Sequence, residues 1–361
     1  MKMLILPRYG RLGASSRLRS YQYIPSLMAA GFEVTISPLL SDGYLKQSYA
    51  GKSVRWRGFR ALISRARTLL TARDYDVIWI EKEAMPWVPA FIERWLMPAG
   101  IPYVVDYDDA VFHQYDRHRN QLVRAVFGRK LDGIMKRSAA VFAGNDYLAS
   151  RARQAGARHI VYVPTVLDPN HYKLRQRADW MAAKTAVIGW IGSPSTWKEH
   201  MRPVCDSLVA LATRKSAVIQ VVGAKIEPGV QGPITFIPWS EESEGDVAAG
   251  FSVGVMPLPD DLWSKGKCGY KLLQYMASGI PVVASPVGVN VDIVEPGING
   301  YLATTLADWS HQLEAMIDDP EKCYSFGQQG RAKVERQYSI QVWGPKVADE
   351  FLKLVAYGAH P

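Results

Sequence analysis

Residues 265–290, KGKCGYKLLQYMASGIPVVASPVGVN, permit few folds. A basic, glycine-bearing turn runs into a short apolar helix. Ser278-Gly279 ends that helix, because glycine accepts the left-handed conformation at a helix terminus and Pro281 cannot continue the helix. A β-branched strand follows and leads to a second glycine turn. A helix feeding a buried strand in this way is the return half of a βαβ unit, which requires a parallel sheet.

The same alternation runs through the chain. Apolar strands are expected at 3–7, 33–38, 77–80, 103–106, 140–143 and 160–163, and again at 186–191, 218–222, 234–237, 253–256 and 281–284. Helical patterns lie between them, for example at 17–30 and 121–137. Two such series predict an α/β protein built of two doubly wound, Rossmann-like domains. A chain of 361 residues also exceeds what one hydrophobic core usually supports. The expected division is 1–166, a polar, proline-bearing linker at 167–184, and 185–340, with 341–361 forming a last helix that packs back on the first domain. Folds of this kind bind ligands at the carboxyl ends of their strands, in the cleft where two such domains face each other.

The net charge of +9 is unevenly divided. Residues 1–165 hold 25 Lys and Arg against 13 Asp and Glu, whereas 166–361 hold 18 against 21. The most basic piece is 46–73, with Lys46, Lys52, Arg55, Arg57, Arg60, Arg65, Arg67 and Arg73 and no acid before the last of them. Trp56, Phe59, Leu62, Ile63, Leu69 and Leu70 are interleaved. This pattern suits an anionic membrane surface. A solvated loop and helix without a partner is the plainer alternative. No helix-turn-helix, RNP or zinc-finger signature points to nucleic acid. No run of ~18 apolar residues is present to span a bilayer, and residues 1–7 read as a strand rather than a signal peptide. Three distant cysteines form neither a disulfide framework nor a zinc pattern, which fits a reducing, cytoplasmic setting.

Several clusters carry possible chemistry. Backbone amides near Cys268, Gly269 and Tyr270 open a helix at its positive end, and Lys267, Lys271 and Gln274 follow at spacings that predict one shared face. Amides and ammonium groups converging there suit a diphosphate. After the first strand, PRYGRLGASSRLRS places Gly10 and Gly13 in a tight loop with Ser15 or Ser16 available to cap the next helix. The G-x-G-x-x-G fingerprint is absent and no acid ends the second strand, so no nicotinamide or flavin cofactor is expected. In VDYDD, Asp106, Asp108 and Asp109 stand at a strand end, able to hold magnesium, orient sugar hydroxyls or act as a base, or simply to cap and pair. Glu81 and Glu83 occupy the same edge one strand earlier, with Lys82 between them pointing the other way if the strand extends that far, and His113 follows the aspartates. In the second half Gly192 and Ser193 open a small-residue loop, Ser195 or Thr196 can cap the helix after it, and Trp239 ends another strand where it could lie along a flat base.

In this order the chain resembles glycosyltransferase family 4, with the GT-B fold. IGWIGSPST, VVGAK, IPWSEESE, VGVMPLPDD, GKCGYKLLQYMASGIPVVASPVGVN and EPGINGYLA carry the resemblance over 184–340, supported more loosely by DYDDAVF and VPTVLD. The resemblance implies a donor-binding C-terminal domain, an acceptor-binding N-terminal domain, and a last helix that crosses back. It implies retaining sugar transfer from a nucleotide-diphosphate sugar without an essential metal or other cofactor, to a glycan or polyprenyl-linked acceptor. Gly13, Gly192, Ser193, Trp239, Lys267, Gly269, Tyr270, Lys271 and Gln274 are then expected on the donor. Glu81, Glu83, Asp108, Asp109 and His113 are expected on the acceptor, with Asp109, Gly269 and Lys271 nearest the reaction. The family's two glutamates, eight positions apart, fall here on Gly266 and Gln274, and its usual arginine after the domain's first strand is replaced. The diphosphate counter-charge is therefore expected from Lys267 and Lys271. The rival readings are a metal-dependent transferase using Asp106 and Asp108, a nucleotide-sugar epimerase of the same fold, and a binding protein without turnover.

Overall fold

The computed structural model of the protein describes residues 1–49, 52–225, 229–241 and 243–358. The chain forms two compact units: Met1–Thr165 with Gly266–Cys268 and Ile340–Pro361, and Val166–Lys265 with Gly269–Ser339. Each unit holds a six-stranded parallel sheet.

The strands of the first unit are β1 (Lys2–Leu6), β2 (Glu33–Ile36), β3 (Val77–Glu81), β4 (Tyr103–Tyr107), β5 (Ala140–Ala143) and β6 (Ile160–Tyr162), in the order β2-β1-β3-β4-β5-β6. Parallel strands covered on both faces read as continuous apolar runs, and every residue of β3, VIWIE, is buried. Trp79 of β3 centres the core, its ring 5.7 Å from Tyr23, 6.0 Å from Phe142 and 5.1 Å from Phe351. Phe351 belongs to the last helix, Ile340–Gly358, which therefore lies against this sheet. The register pairs Glu81 with Asp106, so carboxylates from adjacent strands stand together at the carboxyl edge.

The second unit contains β7 (Val187–Ile191), β8 (Val218–Val222), β9 (Ile234–Ile237), β10 (Val253–Met256), β11 (Val282–Ala284) and β12 (Gly300–Leu302), ordered β12-β11-β10-β7-β8-β9. β12 is absent from the sequence expectation, because three residues in a glycine-bearing loop show no alternation. Residues 166–184 pack within this unit. They include helix Arg177–Ala182, which opens with a capping box between Gln176 and Asp179. Arg175 covers the Trp180 ring at 3.9 Å.

Two long helices expected from the sequence are broken. The stretch 17–30 becomes helix Ala14–Arg19, a 3-10 turn Tyr21–Tyr23 and helix Ile24–Ala29, with Ser20 at φ −129° and ψ −63° outside the helical region. The stretch 121–137 divides into Gln121–Phe127 and Lys130–Arg137, interrupted at Gly128 and Arg129. The basic segment 46–73 falls on helices Asp42–Tyr49 and Arg55–Leu70, and its residues 50 and 51 lie outside the described residues. Arg65 differs from the exposed arginines of this segment. It is buried and donates to the carbonyls of Pro7 and Ser37.

Cys205, Cys268 and Cys323 are buried, and none of them is in a disulfide. Burial pushes the Cys268 thiol well above its usual range and the Cys323 thiol up to about 12. A thiol that stays protonated is a poor nucleophile. Iodoacetamide at neutral pH is therefore expected to alkylate none of the three in the native protein and all three in denaturant, as read by intact mass. Rapid labelling of native Cys268 would contradict its burial.

Candidate functional site

At the carboxyl edge of the first sheet, the loop after β1 folds back on itself. Gly13 donates to the Gly10 carbonyl, and a Cβ at Gly13 would meet Tyr9 Cβ at 2.4 Å. Gly13 also caps helix Ala14–Arg19, so neither serine plays the capping role expected of it. Instead Ser16 Oγ donates to Glu81, which also accepts the Arg8 N–H at 2.8 Å. Ser15 Oγ lies 2.6 Å from Asp108 and 2.9 Å from Glu81. Glu81 and Asp108 are thus joined through one hydroxyl.

Lys82 lies beyond the strand on which its expected direction depended. β3 ends at Glu81, and Lys82 takes φ 65°, so its side chain turns toward the edge instead of away. Its Nζ lies 3.1 Å from Asp108 and 3.1 Å from Ser15 Oγ. Burial opposes the Lys82 charge, but Asp108 and Glu81 outweigh it and hold the ammonium above its usual range. Burial likewise pushes Asp108 up, yet Lys82 and Arg19 leave it below the usual carboxylate range. A left-handed lysine is an uncommon, strained choice, and such residues cluster at functional sites.

Asp106 is fully engaged by Arg19, whose Nε donates at 3.0 Å and whose second guanidinium nitrogen also contacts it. Burial nevertheless pushes the Asp106 carboxyl up to about 6. Asp109 lies 3.7 Å from Lys267 Nζ, and its carboxyl is raised by burial against the pull of that lysine. Lys267 precedes helix Tyr270–Ala277 and does not share a face with Lys271 and Gln274 as the spacing suggested. Asn145 holds this turn in the first unit, donating to the Lys267 carbonyl at 3.0 Å. Gly266 is pressed against Ala110: a Cβ there would lie 2.6 Å from Ala110 N and 2.5 Å from Ala110 Cβ.

Glu83 belongs to a different network. It is buried, contacts Lys130 Nζ at 2.7 Å and accepts from the Tyr115 hydroxyl at 2.8 Å, with the Arg8 guanidinium 3.8 Å away. His113 is held on both ring nitrogens, by Asp116 at 2.8 Å and the Tyr147 hydroxyl at 2.7 Å.

In the second unit the carboxyl edge brings Gly192, Gly223 and Trp239 together. A Cβ at Gly223 would meet the Gly192 carbonyl at 2.4 Å and Trp239 Cβ at 3.3 Å. Ser193, rather than Ser195 or Thr196, caps the following turn, accepting from the Thr196 N–H. Trp239 is partly exposed. Gly269 caps helix Tyr270–Ala277 at φ 69° with no side-chain hydrogen bond, and a Cβ there would strike Ile293. Lys271, in the first turn, carries its Nζ 5.3 Å from the ring centre of Trp190, which also touches Gly192. Gln274 is buried and donates from Nε2 to Glu244 at 2.6 Å. Glu244 also contacts the hydroxyls of Tyr270 and Tyr172, and burial holds the Tyr270 hydroxyl far above its usual range. Glu244 and Tyr172 were not singled out in the sequence. SEESE offered a carboxylate at 244, but nothing local ties it to 274.

Residues 17–165 match the Glycosyl transferase 4-like domain, and 185–319 match Glycosyl transferases group 1. The chain belongs to glycosyltransferase family 4. No curated protein matches this family 4 glycosyltransferase in sequence. Its GT-B fold is similar to that of Anabaena Alr3699/HepE, solved in complex with UDP and glucose, at 18% identity and a TM-score of 0.71, covering 98% of this chain and 99% of that one. Sucrose-phosphate synthase from Thermosynechococcus elongatus is similar at 15% identity and a TM-score of 0.70, with 99% and 100% covered. A glycosyltransferase from Rickettsia africae aligns at 11% identity and a TM-score of 0.66, with 98% of each chain covered.

Proposed function

We propose that this glycosyltransferase transfers a sugar from a nucleotide-diphosphate sugar, with retention of anomeric configuration and no required metal, to a glycan or polyprenyl-linked acceptor in cell-envelope polysaccharide or glycolipid synthesis. The observation that carries the reading is the start of helix Tyr270–Ala277, opened by a left-handed Gly269 without a side-chain cap and bearing Lys271 in its first turn. Such a terminus favours an anion, and an ammonium held over an indole adds a fixed counter-charge. Uridine nucleotides are the first to test, since Alr3699/HepE of the same fold was solved with UDP-glucose.

On this reading Gly192, Ser193 and Trp239 border the donor, Gly269, Tyr270 and Lys271 meet its diphosphate, and Gln274 with neighbouring Glu244 faces the ribose. Lys271 offsets the charge left on the departing nucleotide, the role a metal plays elsewhere. Asp109, positioned by Lys267, orients the transferred sugar or the acceptor hydroxyl, with Asp108 and Glu81 steadied through Ser15 and Lys82. The basic segment 46–73 holds the protein at the inner face of the cytoplasmic membrane. Among the described residues no helix is long and apolar enough to cross a membrane.

Calorimetric titration of UDP tests the donor site. Lys271→Ala is expected to weaken binding about 10- to 100-fold, the worth of one charge-assisted contact. Unchanged affinity would remove the diphosphate assignment. Donor consumption should require acceptor, persist in EDTA, and give a product whose anomeric configuration matches the donor by NMR. Consumption without acceptor would mark an epimerase instead.

A further inference from the structure

Two neighbouring helices of the first unit turn apolar faces to solvent. On helix Arg55–Leu70 the inner side buries Arg65 and Leu69, while Trp56 and Phe59 on the opposite side are 69% and 55% exposed, with their rings 5.6 Å apart. Ile63 and Leu70 continue that stripe. Helix Ala90–Leu96 touches this helix and buries Glu93 and Leu96, yet leaves Phe91 72% and Trp95 77% exposed. Nothing in the unit's own core accounts for these four aromatic rings at the surface, and grouped exposed apolar side chains mark a surface that something covers.

The charge around them indicates what. Arg57, Arg60, Arg67 and Arg94 are exposed on the same two helices. The only acid on either, Glu93, is buried against Lys130 at 2.9 Å. Aromatic rings beside arginines, with no exposed acid, complement an anionic lipid headgroup layer over an acyl region.

We infer that the two helices dock together on an anionic bilayer, with Trp56, Phe59, Phe91 and Trp95 entering the headgroup–acyl boundary and the arginines meeting lipid phosphates. The inference rests on the membrane reading of 46–73, but gives the apolar share of the attachment to a helix outside that segment. Binding by charge alone is released by salt. Binding with buried aromatic rings keeps a salt-resistant fraction.

The full chain is to be sedimented with vesicles of phosphatidylglycerol and phosphatidylcholine, and with phosphatidylcholine alone, at low and high salt. Phe91→Ser with Trp95→Ser is expected to weaken retention on the anionic vesicles about tenfold or more and to abolish the salt-resistant fraction. Melting temperature and UDP affinity should not move, since both side chains are largely exposed. A dye sensitive to polarity, attached to Trp95→Cys, should shift to the blue on these vesicles. If the double serine variant is retained like the wild type while Arg57→Ala, Arg60→Ala and Arg67→Ala together release the protein, the inference fails and the basic-segment reading stands. Failure of the wild type to bind removes both. A dimer that Trp95→Ser dissociates, with no vesicle retention, assigns this face to a second copy of the chain and overturns the inference.

Discussion

Gly266→Glu restores the carboxylate that the family resemblance places at this position, and it is expected to abolish transfer while lowering the melting temperature. The reason is steric and local to the first unit. A Cβ at 266 would lie 2.6 Å from Ala110 N and 2.5 Å from Ala110 Cβ, closer than packed atoms tolerate. Ala110 is fully buried, and its carbonyl accepts the His113 N–H at 2.9 Å, while the Asp109 carbonyl accepts the Val111 N–H at 2.8 Å. The aspartate loop therefore cannot retreat without breaking its own turn. Nor can residue 266 move freely, since Asn145 holds the next carbonyl at 3.0 Å. Overpacking of this kind costs roughly 1–3 kcal/mol, and burying a new carboxylate beside Asp109 adds to that. Gly266→Ala separates the two contributions, because it brings the Cβ without the charge. Asp109 sits one residue from the point of collision, so both variants should disturb its 3.7 Å contact with Lys267. UDP affinity should survive in each, because helix Tyr270–Ala277 belongs to the other unit. Thermal melts, UDP titration and a transfer assay read the three effects separately. A Gly266→Glu protein that melts like the wild type and transfers faster would show that this position has room for the glutamate.

The collision at Gly266 marks the boundary of what the sequence discloses. The glycine itself was visible as a departure from the family pattern, but its reason, a backbone contact with Ala110, joins residues far apart in the chain. Strands β3 and β4 were legible because residues buried on both faces must be apolar throughout. β12 was not, since Gly300–Leu302 owes its pairing to β11 rather than to its own pattern. The helix through Ser20 was overextended because apolar periodicity continues where the backbone does not. The direction of Lys82 hung on the length of its strand for a related reason: strand alternation predicts direction only while φ stays extended, and no residue type announces a left-handed lysine. The carboxylates of Glu81, Glu83, Asp106 and Asp108 were all picked out, yet their partners separate them into different networks. Arg19, Ser15 and Lys130 make that separation; Arg19 and Lys130 do not stand out in the sequence, and Ser15 stands out only as a helix cap.

Lys130→Met is expected to cost about 3–5 kcal/mol of stability, the loss that follows when one side of a buried ion cluster is removed. Lys130 is wholly buried, 2.7 Å from Glu83 and 2.9 Å from Glu93, and donates to the Met85 carbonyl at 2.6 Å. Methionine fills much of the same volume, so the loss reports charge rather than a cavity. Burial already holds the Glu93 carboxyl above its usual range, with Lys130 the chief opposing pull. Removing the lysine sends it further up. A carboxyl raised in the folded state contributes stability that is full below the unfolded value of about 4 and is lost as pH rises through the folded value. The deficit of the variant should therefore be larger near pH 8 than near pH 5, by an amount urea unfolding at the two values can read. Adding Glu83→Gln and Glu93→Gln should recover most of the loss and flatten its pH dependence, since both carboxylates that faced the lysine are then neutral. A small, pH-independent loss would mean that the cluster is hydrated and contributes little. The same series decides between the two roles open to Glu83. If it serves the fold, the triple variant transfers sugar with an unchanged KM for acceptor; if it also touches the acceptor, KM rises even where stability has been regained.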